Sequence, residues 1–379
     1  MSKQLPRGWK EFALKDIGNF LRGSGISKKD LSDTGIPAIR YGDIYTKYDF
    51  VIKNVSSFTN SKGTELKKGD ILFAGSGETA EEIGKSVAFI DDYKAFAGGD
   101  IIIFRPNIDL NSLFLSYILN SGKCRKYISI MGQGHTVVHI YASSLEILKV
   151  ILPPLDEQKR IADILSTFDD LIENLNKLIE KKEIYKKGVM QRVLSGEVRF
   201  NGFKDEWKEV KLSDICKSIK TGKLDANAME ENGKYRFYTC AKEHYKINTY
   251  AFDGEALLIS GNGAYVGYIH YYNGKFNAYQ RTYVLMDFTE NIIYVKYYLD
   301  KYLKNRIKKE KNEGNTPYIV LNTLTDMKIK LPSLEEQNKI AELLTLIDKD
   351  IEILKQLLHL RKLQKKGVMQ KLLTGEVRI

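Results

Sequence analysis

Apolar side chains recur after residue 160 at alternating steps of three and four: Ile161, Ile164, Phe168, Leu171, Leu175, Leu178 and Tyr185. The spacing predicts one long amphipathic helix beginning after Pro153-Pro154, since proline does not fit inside a helix. Lys182 takes one apolar position, so the seam is imperfect. Ile340, Leu344, Ile347, Ile351, Leu354 and Leu358 predict a second helix of the same kind. Each stripe is too exposed to stand alone, and the simplest arrangement buries one against the other as an antiparallel coiled coil. Gly188 and Gly367 are expected to interrupt the two helices near their ends.

Elsewhere the pattern shortens. Residues 36–106 carry the apolar runs IPAIRYGDI, YDFVIKNV, GDILFAG, SVAFIDD and DIIIFRP, separated by Gly, Asp and Asn. Short runs between turn residues predict a β-rich unit. Residues 110–131 have helical spacing, and LEILKVILPP reads as a last strand. The second half repeats this plan: GEALLISGNG answers GDILFAGSG, and residues 292–311 answer the helix at 110–131. Trp9 and Trp207 open the two halves in cognate stretches and read as packing residues.

The two helical stretches are also one repeated sequence. Residues 152–200 align without a gap on 331–379, with 24 of 49 positions identical, including Lys186–Gln191 against Lys365–Gln370. Internal repeats outrank other signals in assigning a fold. The expected class is α+β with a pseudo-two-fold repeat: domains at 1–153 and 201–332, and repeat helices at 154–200 and 333–379.

Charge and chemistry narrow the function. The 379 residues carry a formal charge of +11, which fits a polyanionic partner. No apolar run approaches a membrane span, the first residues lack a secretory core, and three unclustered cysteines suit a reducing, cytoplasmic interior. The run FAGSGETA imitates a cofactor cradle, but a strand-like SVAFI follows where the required helix would start. Asn315-Thr316-Pro317-Tyr318 departs from the N-P-P-Y tetrapeptide of amino-methyltransferases at its second position. Of five histidines only His135 and His139, four apart, have a metal-like spacing, and they lie among β-branched residues rather than on a clear helix, which argues against a zinc site. The expectation is a chain without catalytic, cofactor or metal residues that binds nucleic acid. Basic residues recur before the loop in each half, at Lys123, Arg125 and Lys126 and at Lys304, Arg306 and Lys308. Such side chains neutralise phosphates while polar loops read base edges.

The P-x-L-x-E-Q motifs at Pro153–Gln158 and Pro332–Gln337, the KKGVMQ-x-x-L-x-G-E-V-R tails and the glycine turn at 69–77 resemble the specificity subunits of type I restriction-modification systems. The resemblance implies two target recognition domains, each reading half of a split sequence in double-stranded DNA, held apart by the coiled coil. It also implies two modification subunits using S-adenosylmethionine and two restriction subunits using ATP and Mg2+, with no cofactor on this chain. The base-reading candidates are Arg40 and Tyr41, Gln133, His135 and Thr136, Lys220, Thr221 and Lys223, and Asn315 and Thr316. Docking and coiled-coil candidates are Gln158, Ile161, Phe168, Leu175, Gln337, Ile340, Ile347 and Leu354. About 30 helical residues span roughly 45 Å, or about 13 base pairs. The rivals are a specificity subunit in a methyltransferase complex lacking restriction, a methyltransferase in its own right, and a DNA-independent scaffold.

Overall fold

Leu155–Ser195 and Leu334–Leu373 are unbroken helices in a computed structural model that describes residues 5–134, 136–310 and 317–379. Gly188 and Gly367 therefore do not interrupt them. A glycine inside a helix costs about 1 kcal/mol against alanine. Burial of Met190, Val193 and Leu194 beyond Gly188, and of Leu372 beyond Gly367, outweighs that cost.

The chain divides into two units, residues up to 174 with 358–379, and residues 175–357. Each unit thus holds one β-rich domain and part of both long helices.

In the first unit, Gly18–Arg22, Ile101–Pro106, Ile71–Ala74 and Ser86–Ala88 form an antiparallel sheet. Its central strands are largely apolar because both faces are covered. Ile71, Phe73, Ile102 and Phe104 join a core with Phe114, Leu115, Ile161 and Leu165. Leu72, Ala74, Ile101 and Ile103 point the other way, into a core with Ile39, Ile44 and Phe89. Ile36–Ile39 belongs to a separate five-stranded sheet.

Two expectations fail here. YDFVIKNV forms no strand: Tyr48 and Ile52 are buried, and Val51 makes only an isolated bridge to Ala88. The stretch at 110–131 is two helices, Ser112–Leu119 and Gly122–Ile130. The break lies where the Asn120 amide donates to the Ser116 and Ser86 carbonyls, a side-chain bond that competes with helix continuation.

The second unit is built on six strands in the order Cys216–Thr221, Thr282–Phe288, Phe252–Ser260, Ile269–Ala278, Tyr235–Tyr238 and Tyr245–Ile247. One face, with Leu257, Ile259 and Leu285, packs against Tyr294, Val295 and Leu299 of the helix Ile292–Glu310. The other carries a smaller apolar cluster around Tyr238, Leu258 and Phe276. In both units the Trp-led strand pairs antiparallel with the strand entering the repeat: Lys10 opposite Leu152, and Lys208 opposite Leu331. The fold is α+β, two domains joined by two long helices. Among the described residues no helix is long and apolar enough to cross a membrane.

Candidate nucleic-acid interface and docking helices

The repeated Glu-Gln pair fastens each unit. Glu157 is buried and accepts a bond from Trp9 Nε1 at 3.3 Å. Arg378 grips the same carboxylate with two prongs, Nε to Oε1 at 2.9 Å and Nη2 to Oε2 at 2.6 Å. In the second unit Glu336 accepts from Trp207 Nε1 at 3.3 Å and from Arg199 at 3.0 and 2.8 Å. Gln158 donates to the Pro153 carbonyl at 2.9 Å and accepts from the Asn111 N–H at 3.0 Å. Gln337 does the same with Pro332 and Asn291, at 3.0 and 3.1 Å.

The Arg378 bonds, reinforced by Trp9, hold the Glu157 carboxyl below its usual range. A depressed carboxylate stabilises the fold above the unfolded value of about 4.3, and that contribution is lost as pH falls through the folded value. Reading the tryptophans as packing residues missed these bonds. The available signal was that Glu157 and Arg199 both recur at the repeat offset, as Glu336 and Arg378.

A second duplicated contact sits further along the helices. Tyr117 donates to Asp169 Oδ2 at 2.5 Å, and Lys365 pairs with Asp169 Oδ1. In the other unit Tyr297 donates to Asp348 at 2.7 Å, and Lys186 pairs with Asp348 at 2.5 Å. Burial, with the Asp169 carboxylate next, holds the Tyr117 hydroxyl far above its usual pKa. The helix segments within each unit are antiparallel: in the first, 157 pairs with 378 and 169 with 365; in the second, 182 pairs with 350 and 199 with 336.

The reading candidates gather at glycine turns. In the first unit Ser76–Gly77 pairs antiparallel with Val138–His139, and Ser76 Oγ lies 2.9 Å from His139 Nδ1. Gln133 and His139 exchange backbone bonds at 2.9 and 2.8 Å, closing a hairpin with exposed Gln133 and Thr136. Gly134 has φ +120°, and a Cβ there would meet the Val137 carbonyl at 2.1 Å, so the hairpin requires glycine. Tyr45 donates to the Ser76 carbonyl at 3.0 Å, tying the helix Tyr41–Thr46 to the same turn. Two segments distant in sequence, 40–45 and 133–139, thus meet at residue 76. Tyr41 is exposed, while Arg40 pairs with Asp43 at 3.5 Å beside its own helix start. His135 lies outside the described residues.

The second unit repeats the device. Ile319 N–H donates to the Gly261 carbonyl and Gly263 N–H to the Pro317 carbonyl, both at 2.9 Å. A cleft of about 220 Å³ opens beside this turn, lined by Thr221, Gln280, Arg281 and Tyr318 among others. Lys220 and Lys223 are exposed on either side of Thr221. Asn315 and Thr316 lie outside the described residues.

The basic runs do not form uniform faces. Lys123, Lys126, Lys304 and Lys308 are exposed. Arg125 turns inward to the Ile83 carbonyl. Arg306 is committed to Glu310 at 2.7 Å and to the Asp326 and Asn322 carbonyls at 2.7 and 3.2 Å. These two arginines hold framework in place.

Of the docking candidates, Gln158, Ile161, Leu175, Gln337, Ile340 and Ile347 are buried, and Phe168 and Leu354 are half-buried. The seam differs from the expected stripe. Ile161, Leu165, Leu175 and Ile179 are buried, whereas Ile164, Leu171, Leu178 and Tyr185 are exposed. The first long helix is apolar on two faces, and a repeat of three and four fits a stripe through either. On the second helix Leu346, Ile353 and Leu360 are exposed at the same seven-residue interval. Among the described residues, a Cβ added at Gly188 or Gly367 would meet nothing within 4 Å.

Residues 6–183 and 204–360 match the family model described as the type I restriction modification DNA specificity domain. The EcoDI type I restriction enzyme specificity subunit of Escherichia coli is 41% identical over 179 residues, 45% of this chain and only 39% of that relative. The putative MjaX specificity subunit of Methanocaldococcus jannaschii is 30% identical over 99% of this chain and 95% of its own length. A solved type I restriction-modification S subunit from M. genitalium shares the fold, with a TM-score of 0.67 at 21% identity over 98% of each chain.

Proposed function

The chain belongs to the type I restriction-modification DNA specificity family, and from that premise we propose that it is the non-catalytic, sequence-reading subunit of a larger complex. Each unit reads one word of a bipartite DNA target through its turn-and-loop cluster. The paired long helices set the gap between the words. Methylation and cleavage belong to modification subunits that use S-adenosylmethionine and restriction subunits that use ATP and Mg2+.

One observation carries the reading. The two units share a duplicated frame, Glu157 with Arg378 and Glu336 with Arg199, yet hang different polar residues on equivalent glycine turns. A constant frame with variable loops suits two unrelated words.

The test is to map methylated adenines in a host expressing the chain with its modification partner, then to exchange residues 1–152 for those of another family member. One word should change and the other should persist; a change in both words, or in neither, would overturn the reading. Gln133→Ala should relax one base position, with a discrimination loss of about 1–3 kcal/mol.

The modification subunits dock on the long helices. The exposed apolar residues at seven-residue intervals are spaced for a further helix to pack against them. The open glycines let such a helix approach closely, which explains residues that cost helix stability where, among the described residues, nothing crowds them. The variant Leu171→Glu/Leu178→Glu should leave the thermal midpoint within a few degrees of the parent and abolish co-purification of the modification subunit. Retention of that subunit would sink the docking proposal.

A further inference from the structure

Arg236 and Lys246 stand directly opposite one another on the antiparallel strands Tyr235–Tyr238 and Tyr245–Ile247. Like charges so placed weaken a strand pair. Among the described residues no carboxylate forms an ion pair with either: Asp253 reaches Lys275, at 4.0 Å between exposed groups, and Glu230, whose N–H donates to the Lys246 carbonyl at 2.8 Å, turns its carboxylate to Asn248. The two cations help line a concavity of about 500 Å³ with Lys234, Lys275, His244 and Tyr272, and no lining side chain is acidic. The Arg236 guanidinium lies 4.4 Å from the centre of the Tyr272 ring, so its flat face is already ordered. Burial, with Arg236 next, keeps the His244 imidazole below its usual pKa, leaving it a neutral hydrogen-bonding group. None of these residues belongs to the turn-and-loop cleft at Gly261.

We propose that this concavity is a phosphate clamp for duplex DNA flanking the word read by the second unit, an assignment that rests on the DNA-reading role above. Lysine and arginine neutralise backbone phosphates without regard to sequence, releasing counterions. The Arg236–Tyr272 pair adds a flat surface against which a sugar or base edge rests. Four cations surround one concavity with no acidic lining residue, and only Lys275 has a carboxylate partner. Held so at a cost in strand stability, they are a site waiting for an extended polyanion. A lone small anion would engage one or two of them and leave the others repelling.

The experiment uses the full chain in complex with its modification partner and compares it with the variant K234Q/R236Q/K246Q/K275Q. Binding to DNA with the mapped target, and to DNA of equal length without it, is measured across a salt series. The slope of log K against log salt should become shallower by about 0.9 for each phosphate no longer neutralised, about 3 to 4 in all, and equally on both DNAs. Methylated positions in the host should not move. The thermal midpoint should equal or exceed that of the parent, because the opposed Arg236 and Lys246 charges are gone. An unchanged slope at a parental midpoint overturns the clamp. Should the quadruple variant unfold, R236Q alone decides, with a slope change of about 1 expected and none overturning the proposal. A parent complex that fails to bind DNA at all defeats the reading role itself, a result distinct from an unaltered slope.

Discussion

Replacing Asp169 by alanine lowers the stability of the first unit by about 3 kcal/mol. The loss arises from the partner left behind. Lys365 is 8% exposed, with its ammonium 4.1 Å from the Phe50 ring and 5.2 Å from that of Tyr117. Without Asp169 that charge loses its ion-pair partner and keeps the ring faces, and the Tyr117 hydroxyl is deprived of its acceptor. The double variant Asp169→Leu/Lys365→Met removes both charges and should return to within about 1 kcal/mol of the parent, since a buried pair and an apolar pair of similar volume are often nearly equivalent.

The duplicate of this contact supplies an internal control. Lys186 and Asp348 have side chains 23% and 37% exposed, against 10% and 23% for Lys365 and Asp169. Asp348→Ala should therefore cost about 1 kcal/mol, nearer the value for a solvated pair. Urea unfolding, with hydrogen exchange resolving the amides of each unit, measures both effects. Equal destabilisation at the two sites would show that burial is not what sets the cost.

These contacts mark the limit of what the sequence discloses. Repetition revealed the two halves, the two helices and the matched glycine turns, because those features are periodic or duplicated in the chain itself. Which face of the first long helix is buried was not legible. Ile164 and Leu171 have the same spacing as Ile161 and Phe168, and only the docked domain decides that Ile161 and Leu165 go inside. The glycines misled for a related reason: local propensity predicts a break at Gly188, but Val193 and Leu194 beyond it are anchored by tertiary contacts.

For the site, sequence selected the loop at 133–136 but not its anchor. Ser76 meets Tyr45 and His139 only because the fold brings together segments 31 and 63 residues apart. Arg125 and Arg306 resembled the exposed lysines near them until their carbonyl partners were known. The opposed Arg236 and Lys246 stayed hidden because their conflict exists only in the register of two strands.

That same dependence on register makes the gap between the words the other large effect. A seven-residue helical insertion after residue 174, matched by another after residue 357, adds about 10 Å to each long helix, or about three base pairs of duplex. Seven residues are almost two full turns, so the helix faces drift by only about 20°. The first unit keeps its Asp169–Lys365 and Glu157–Arg378 pairs and the second keeps Lys182–Asp350 and Glu336–Arg199, since no insertion falls between partners. Methylation mapping should return both words unchanged, with a gap longer by about three base pairs. An insertion in the first helix alone should abolish methylation, because the shorter helix cannot then satisfy the contacts of both units. New words at the old gap length would mean that the helices do not measure the DNA, and the spacing would have to come from the partner subunits.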